Sequence, residues 1–193
     1  MNYLERMQDK LRQHIEKIVA LTDEEFAFVA SHFTAHKYKR REHLFQQGED
    51  VGCVYFVTSG LLMLTYDDEP GKQHVLSFAM EDWWETDFYA FLSGVKATMS
   101  LSCLEDTEVL RLPLAGYRAL CSNLHKMEHL FLEKANRGHI AAQQRILSFI
   151  TSNASERYEK LLAQHPTLFQ RVPKTLLASY LGVSRETLSR LSY

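Results

Sequence analysis

Arg185, Glu186, Ser189 and Arg190 recur at the spacing that sets side chains on one face of a helix, and each can hydrogen-bond to a base edge or a phosphate. A guanidinium fits the paired acceptors of guanine, a carboxylate accepts from cytosine, and a hydroxyl serves either role. The residues before them form a scaffold for that face. Leu177 and Leu181 lie four apart, and Ala178 is small enough for a second helix to cross closely. Gly182 supplies the turn, Val183 plugs the gap, and Ser184 is a good N-cap for the next helix. Leu188 and Leu191 point that helix back at the first. Residues 174–193 therefore read as a helix-turn-helix, with double-stranded DNA as the expected partner. An ordinary helical hairpin would need only some of these positions, whereas here all are filled together.

Charge distribution agrees. The net charge of -2 favours no partner by itself, but residues 1–133 hold 13 Lys+Arg against 21 Asp+Glu, and residues 134–193 hold 9 against 3. The basic footprint lies at the end that carries the motif. Arg145, Arg157 and Lys160 belong to that excess and could equally be solvated helix faces.

No other chemistry competes with this reading. Cys53, Cys103 and Cys121 are far apart without paired Cys/His spacing, and they read as small buried hydrophobes. His74 and His139 are isolated, so no metal and no cofactor is expected. The sequence contains no Gly-rich phosphate loop and no paired nucleophile and base, and an enzyme is not expected. With no run near the roughly 18 apolar residues of a membrane span and a charged N-terminus, MNYLERMQDKLRQH, the expectation is a cytoplasmic protein with no membrane partner.

The elements that must position the motif follow from periodicity. Leu4, Met7, Leu11, Ile15 and Ile18 predict one amphipathic helix over residues 3–20. Thr22 and Glu25 have the spacing of a capping box and open a second, short helix containing Phe26 and Val29. The basic cluster Lys37 to Arg41 is assigned no function. From about His43 to Leu112, short period-two segments divided by turn residues predict a β domain. LFQQGED ends a strand at Gly48, two strands flank Ser59-Gly60, and DDEPGKQ turns into HVLSFAM. Met99, Leu101 and Cys103 alternate with Thr98, Ser100 and Ser102, and TEVLRL follows. Such strands suggest a barrel or roll with a hollow interior.

After Pro113, residues from about Leu120 to Ser152 carry Leu124, Met127, Phe131, Ala135, Gly138, Ala142, Ile146 and Phe149 at helical spacing. A helix of roughly thirty residues spans about 45 Å, longer than a small β domain can cover. Its stripe is expected to pack on the same helix of a second subunit, with Ala135, Gly138 and Ala142 allowing close approach. A further helix, Glu156 to Gln164, ends before Pro166.

This order of parts resembles the Crp/Fnr bacterial transcription regulators over nearly the whole chain. The resemblance is carried by LFQQGED with Gly48 and Glu49, YFVTSG with Gly60, EVLRLP, and above all SRETLSR. It implies an α+β protein with an N-terminal double-stranded β-roll of jelly-roll type and flanking helices, a long dimerisation helix and a small helix-turn-helix domain. The corresponding divisions are residues 1–119, a cyclic-nucleotide-binding-like sensor, 120–152, and 153–193. It implies base contacts from Arg185, Glu186 and Arg190, phosphate contacts from Ser184 and Thr187, and RNA polymerase as a further partner. Ser189 completes the outward set.

The sequence departs from the family in two places. Members that bind cyclic AMP hold its phosphate with an Arg-Ser pair and its ribose with a Gly-Glu pair, and aligning back from EVLRL puts Ala97-Thr98 and Thr86-Asp87 at those positions. The phosphate loses its bidentate cation, and Lys96 is a poor geometric substitute. Cyclic AMP is therefore not expected to bind. Any pocket that remains is bounded by Trp84, Thr86, Asp87, Phe88, Ala97 and Thr98, and suits a neutral or cationic ligand or is filled by core. The chain also stops at Tyr193, barely past the recognition helix, where a short or frayed helix would weaken DNA binding. The alternative function is a ligand-binding or protein-docking module whose helix-turn-helix has decayed.

Overall fold

Period-two segments between residues 34 and 113 build two four-stranded antiparallel sheets in the computed structural model, which describes residues 3–68 and 71–191. The turn expected through Glu69-Pro70 and the fraying expected at the chain end, Tyr193, lie outside the described residues. One sheet runs in the order β1 (Thr34–Tyr38), β8 (Thr107–Pro113), β3 (Cys53–Ser59), β6 (Trp84–Glu85). The other runs β2 (His43–Phe45), β7 (Ser100–Cys103), β4 (Leu62–Asp67), β5 (Gln73–Ala79).

The sheet begins earlier than the expected His43, because the basic cluster forms part of a strand. Lys37 lies opposite Glu108 in the β1–β8 register and pairs with its carboxylate at 3.0 Å, while Lys39 reaches Asp106 at 3.0 Å. At the β3–β4 turn, Gly60 holds φ at 100°, and a Cβ there would lie 2.5 Å from Thr107 Oγ1. Only glycine fits that turn.

The interior expected to be hollow is filled. Phe45, Phe56, Leu62, Leu64, Leu101 and Leu110 from both sheets join one core. α1 (Tyr3–Glu16) closes it with Met7, Leu11 and Ile15, all fully buried. α1 stops short of residue 20, and α2 (Asp23–Ala30) begins at the expected capping box: the Glu25 N–H donates to Thr22 Oγ1, and the Thr22 N–H donates back to Glu25. α3 (Phe88–Ser93), which periodicity did not predict, is capped by Asp87.

The long helix is interrupted at its start. α4 (Leu114–Asn123) ends where Leu124 turns extended, with φ -138° and ψ 96°, and α5 (His125–Thr151) begins after it. The Asn123 side-chain amide donates to the Ala119 carbonyl at 2.8 Å, satisfying an end carbonyl of α4, while Leu124 packs on the core. Leucine spacing runs through the break, so periodicity alone does not reveal it.

Met127, Leu130 and Phe131 of α5 bury against the roll, whereas Leu132, Ile140, Ile146, Leu147 and Ile150 are exposed. α6 (Ala154–Gln164) starts two residues earlier than expected, at a capping box of Asn153 and Glu156. α7 (Pro166–Arg171) leads to α8 (Lys174–Leu181) and α9 (Arg185–Leu191). A second core joins the outer face of the roll, Leu61, Met63, Val75 and Phe78, to Leu161, Leu177, Leu181 and Leu188. This explains why Leu61 and the first residues of β4, Leu62, Met63 and Leu64, are buried on both faces.

Two titratable groups, buried His14 and half-buried Glu85, give stability opposing pH slopes. His14 of α1 accepts the Trp84 indole N–H at 2.9 Å, and burial, with Lys134 nearby, pushes its pKa down to about 4. It stabilises the fold above pH about 6.5, and this contribution, about 3 kcal/mol, is lost as pH falls through 4. The Glu85 carboxyl is enclosed beside Ser77, and burial pushes its pKa up to about 7, so its contribution is lost as pH rises from 4.5 through 7. Thermal melts from pH 4 to 7 should show His14→Gln losing the acid-side destabilisation and Glu85→Gln losing the alkaline-side one. Unchanged slopes in both variants would contradict this assignment.

Candidate functional site

The two-helix unit at the C-terminal end is built as its residue types require. Gly182 ends α8 in the left-handed conformation, φ 67°, and the Val183 N–H donates to the Ala178 carbonyl at 3.0 Å. Leu177, Ala178, Leu181 and Leu188 are all buried between the helices. Ser184 caps α9, its Oγ accepting the Thr187 N–H at 3.1 Å. This hydroxyl also lies 3.1 Å from Thr187 Oγ1, so the two expected phosphate donors are paired with each other.

Arg185, Glu186 and Arg190 are exposed on α9, and Thr187 and Ser189 are half-buried. The Glu186 N–H and the Ser184 hydroxyl, helped by Arg185 and Arg190, hold the Glu186 carboxyl below the usual range. It stays anionic at neutral pH, as an acceptor for a base amino group must.

The basic excess of this region is only partly available to a partner. Arg171 lies between two carboxylates, Glu81 at 2.8 Å and Glu105 at 2.7 Å, and ties α7 to the roll. Arg145 donates to the carbonyls of Leu76 and Tyr180, and Arg157 to those of Leu181 and Ser152. These three cations join internal elements and are not solvated faces. Nothing in sequence spacing distinguishes them from Arg185, since the Leu76, Tyr180 and Leu181 carbonyls and the Glu81 and Glu105 carboxylates they meet lie 24 to 90 positions away in the chain.

The six residues expected around a roll pocket do not converge on one space. Trp84 turns toward α1 and α5, packing on His14, Phe56 and Phe131. Phe88 is 47% exposed, and Thr86 is buried with its hydroxyl donating to the Cys53 carbonyl at 2.9 Å. Asp87, Ala97 and Thr98 do meet. Asp87 is fully buried; Oδ1 accepts the Ala90 N–H at 3.0 Å, and Oδ2 accepts both the N–H and the hydroxyl of Thr98 at 2.8 Å. Ala97 is buried in backbone pairing with Gly48 and Glu49.

No group of three or more His, Cys, Asp or Glu able to hold a metal ion occurs among the described residues. No helix among them is long and apolar enough to cross a membrane.

Comparison with known proteins supports this architecture. Residues 35–123 match the cyclic nucleotide-binding domain family. Over 180 residues the chain is 24% identical to the cAMP-activated global transcriptional regulator CRP of Escherichia coli O6:H1, covering 88% of this chain and 86% of that protein. Among solved structures, a c-di-GMP responsive global regulator, CLP, of Xanthomonas campestris has a TM-score of 0.70 at 16% identity, covering 88% of this chain and 89% of the other. FixK2 of Bradyrhizobium japonicum has a TM-score of 0.69 at 18% identity, covering 82% of each. A β-roll continued by a long helix and a capped helix-turn-helix, matched along almost its whole length by such a regulator, makes this chain similar in plan to the transcription regulators of the Crp/Fnr type, with the cyclic nucleotide-binding domain match confined to the roll and α4.

Proposed function

We propose that this regulator binds double-stranded DNA as a homodimer, reads base edges with α9, and does not respond to cyclic AMP. The observation that carries the reading is the intact turn, Gly182 left-handed and Ser184 capping, beneath an exposed Arg185, Glu186 and Arg190. A decayed motif would not need to keep both. DNA contact by relatives of this family supports the assignment, and RNA polymerase contact is part of the same proposal.

Dimerisation would use a different face of α5 from the small-residue stripe. Ala142 and Phe149 line a groove against the roll, and Gly138 lies two turns from Arg145 on that same side. The opposite side presents Leu132, Ile140, Leu147 and Ile150, all exposed, with Asn136 and Gln143 between them. This apolar ridge at heptad-like spacing supports a two-helix seam, and its polar members would fix register.

The roll disfavours a cyclic nucleotide for a stronger reason than the missing arginine. Both donors of Thr98, aligned with the position that holds phosphate in cyclic-AMP-binding members, are already engaged by Asp87. A phosphate would have to displace a buried carboxylate of the same charge sign.

Three measurements test this function. Selection from random duplexes should yield a two-fold symmetric site with half-sites about one helical turn apart. Against that site Arg185→Ala or Arg190→Ala should cost about 1 to 3 kcal/mol and relax preference at one base pair, and unchanged binding by both variants would refute the DNA assignment. Sedimentation should show a dimer at micromolar concentration, with Leu147→Glu raising the dissociation constant about a hundredfold or more and Gly138→Glu having the smaller effect. A wild-type monomer would remove the seam. Isothermal titration should detect no saturable cyclic-AMP binding at low micromolar concentration. Ala97→Arg alone should stay silent because its guanidinium would pair with Asp87. Wild-type binding would overturn this part.

A further inference from the structure

A cavity of about 930 Å³ lies where β5, α5, α6 and α8 meet, so its walls belong both to the roll and to the helix-turn-helix unit. Its aromatic walls are Phe78, Trp83, Phe149 and Tyr180, and its cationic or basic groups are Arg145, Arg157, Lys160 and His165. No lining residue is acidic. Both arginines crowd one ring: their guanidinium carbons lie 5.4 and 5.1 Å from the centroid of Phe149. Arg145 also stacks 3.7 Å above Tyr180.

These cations differ from Arg171, which holds two carboxylates. The hydrogen bonds of Arg145 and Arg157 go to carbonyl oxygens, which carry no full charge. Burial pushes the Arg145 pKa down, reflecting a guanidinium removed from water without a counter-ion. Lys160 is exposed and makes no hydrogen bond or ion pair with the described residues. Two like charges flanking one ring repel, and an anion between them would relieve both the repulsion and the uncompensated desolvation.

We propose that this cavity binds a small organic anion, one carboxylate or similar acidic group on an apolar body of one or two rings. The anionic end would meet Arg145, Arg157 and Lys160, and the apolar end would lie among Phe78, Trp83 and Tyr180. The volume falls in the range of small-molecule sites, and flat rings suit aromatic and guanidinium surfaces. An occupant would bridge β5 to α8 and so couple the roll to the DNA-reading unit. The site is separate from Asp87 and Thr98, and it stands whether or not the chain binds DNA.

The probe is 2-naphthoate, with 2-naphthylmethanol as its uncharged counterpart, titrated into the full chain without DNA and followed by calorimetry and tryptophan fluorescence. Naphthoate should saturate, and the alcohol should bind at least about tenfold more weakly, as loss of a charge-assisted contact implies. Lys160→Glu, a change on the surface, should weaken naphthoate at least about fivefold. Ser148→Trp should fill the space and abolish binding while circular dichroism confirms the fold. Equal binding of acid and alcohol, wild-type affinity in both variants, or no saturation by about 5 mM would overturn the proposal. Since DNA is absent from the assay, failure here leaves the DNA assignment untouched, and failure there leaves this site untouched.

Discussion

The docking of α8 on β5 is the contact on which the arrangement of the two units depends. β5 is the edge of its sheet, and Ser179 covers that edge: its Oγ accepts the Val75 N–H at 3.1 Å and donates to the Gln73 carbonyl at 3.4 Å. Around this polar stitch, Val75 and Phe78 bury against Leu177, Ala178 and Leu181. Each large apolar side chain enclosed there contributes about 1.5 to 3 kcal/mol relative to exposure. The second helix of the motif, α9, is thus mounted on the roll through α8, and the Lys72 to His74 segment comes to line the same recess as Ser184 and Arg185.

Cations reinforce that mounting from three sides. Arg145 bridges β5 and α8 through two carbonyls, Arg157 ties α6 to the end of α8, and Arg171 binds α7 to acidic residues of the roll. Arg171 has full countercharge, and its carboxylate partners raise its pKa further. Among the described residues Arg145 and Arg157 have only dipoles and π faces as partners. The asymmetry leaves the inner wall of the cavity positive while the outer tie is neutralised. Inside the roll the reverse holds, since Asp87 gives the α3 cap and Thr98 their acceptor from within the chain.

The helix-turn-helix, the capping box at Thr22 and Glu25, the strand turn at Gly60 and the coarse order of roll, long helix and helix-turn-helix were legible in the sequence. All rest on local rules: helical spacing, a cap three residues from its partner, and a glycine where only φ above zero fits. The loss of an arginine at Ala97 was legible by alignment with the family. The break at Leu124 was not, because apolar spacing continues through it and the stop depends on where the roll takes Leu124 into its core. The strand over Lys37 was missed because its charges are matched by Glu108, seventy-one positions away in the chain.

What the sequence determined by itself was therefore the kind of molecule and the residues it presents outward at α9, since these follow from spacing within a few residues. Tertiary structure alone decided which basic residues remain free, which face of α5 is left apolar and exposed, and that Asp87 engages both donors of Thr98. Each of those outcomes is a contact between segments distant in the chain, where the partner's identity, and not the residue's own type, fixes the role. A guanidinium at Arg185 and one at Arg171 are the same group; one is exposed on its helix, and the other meets Glu81 and Glu105 across the fold.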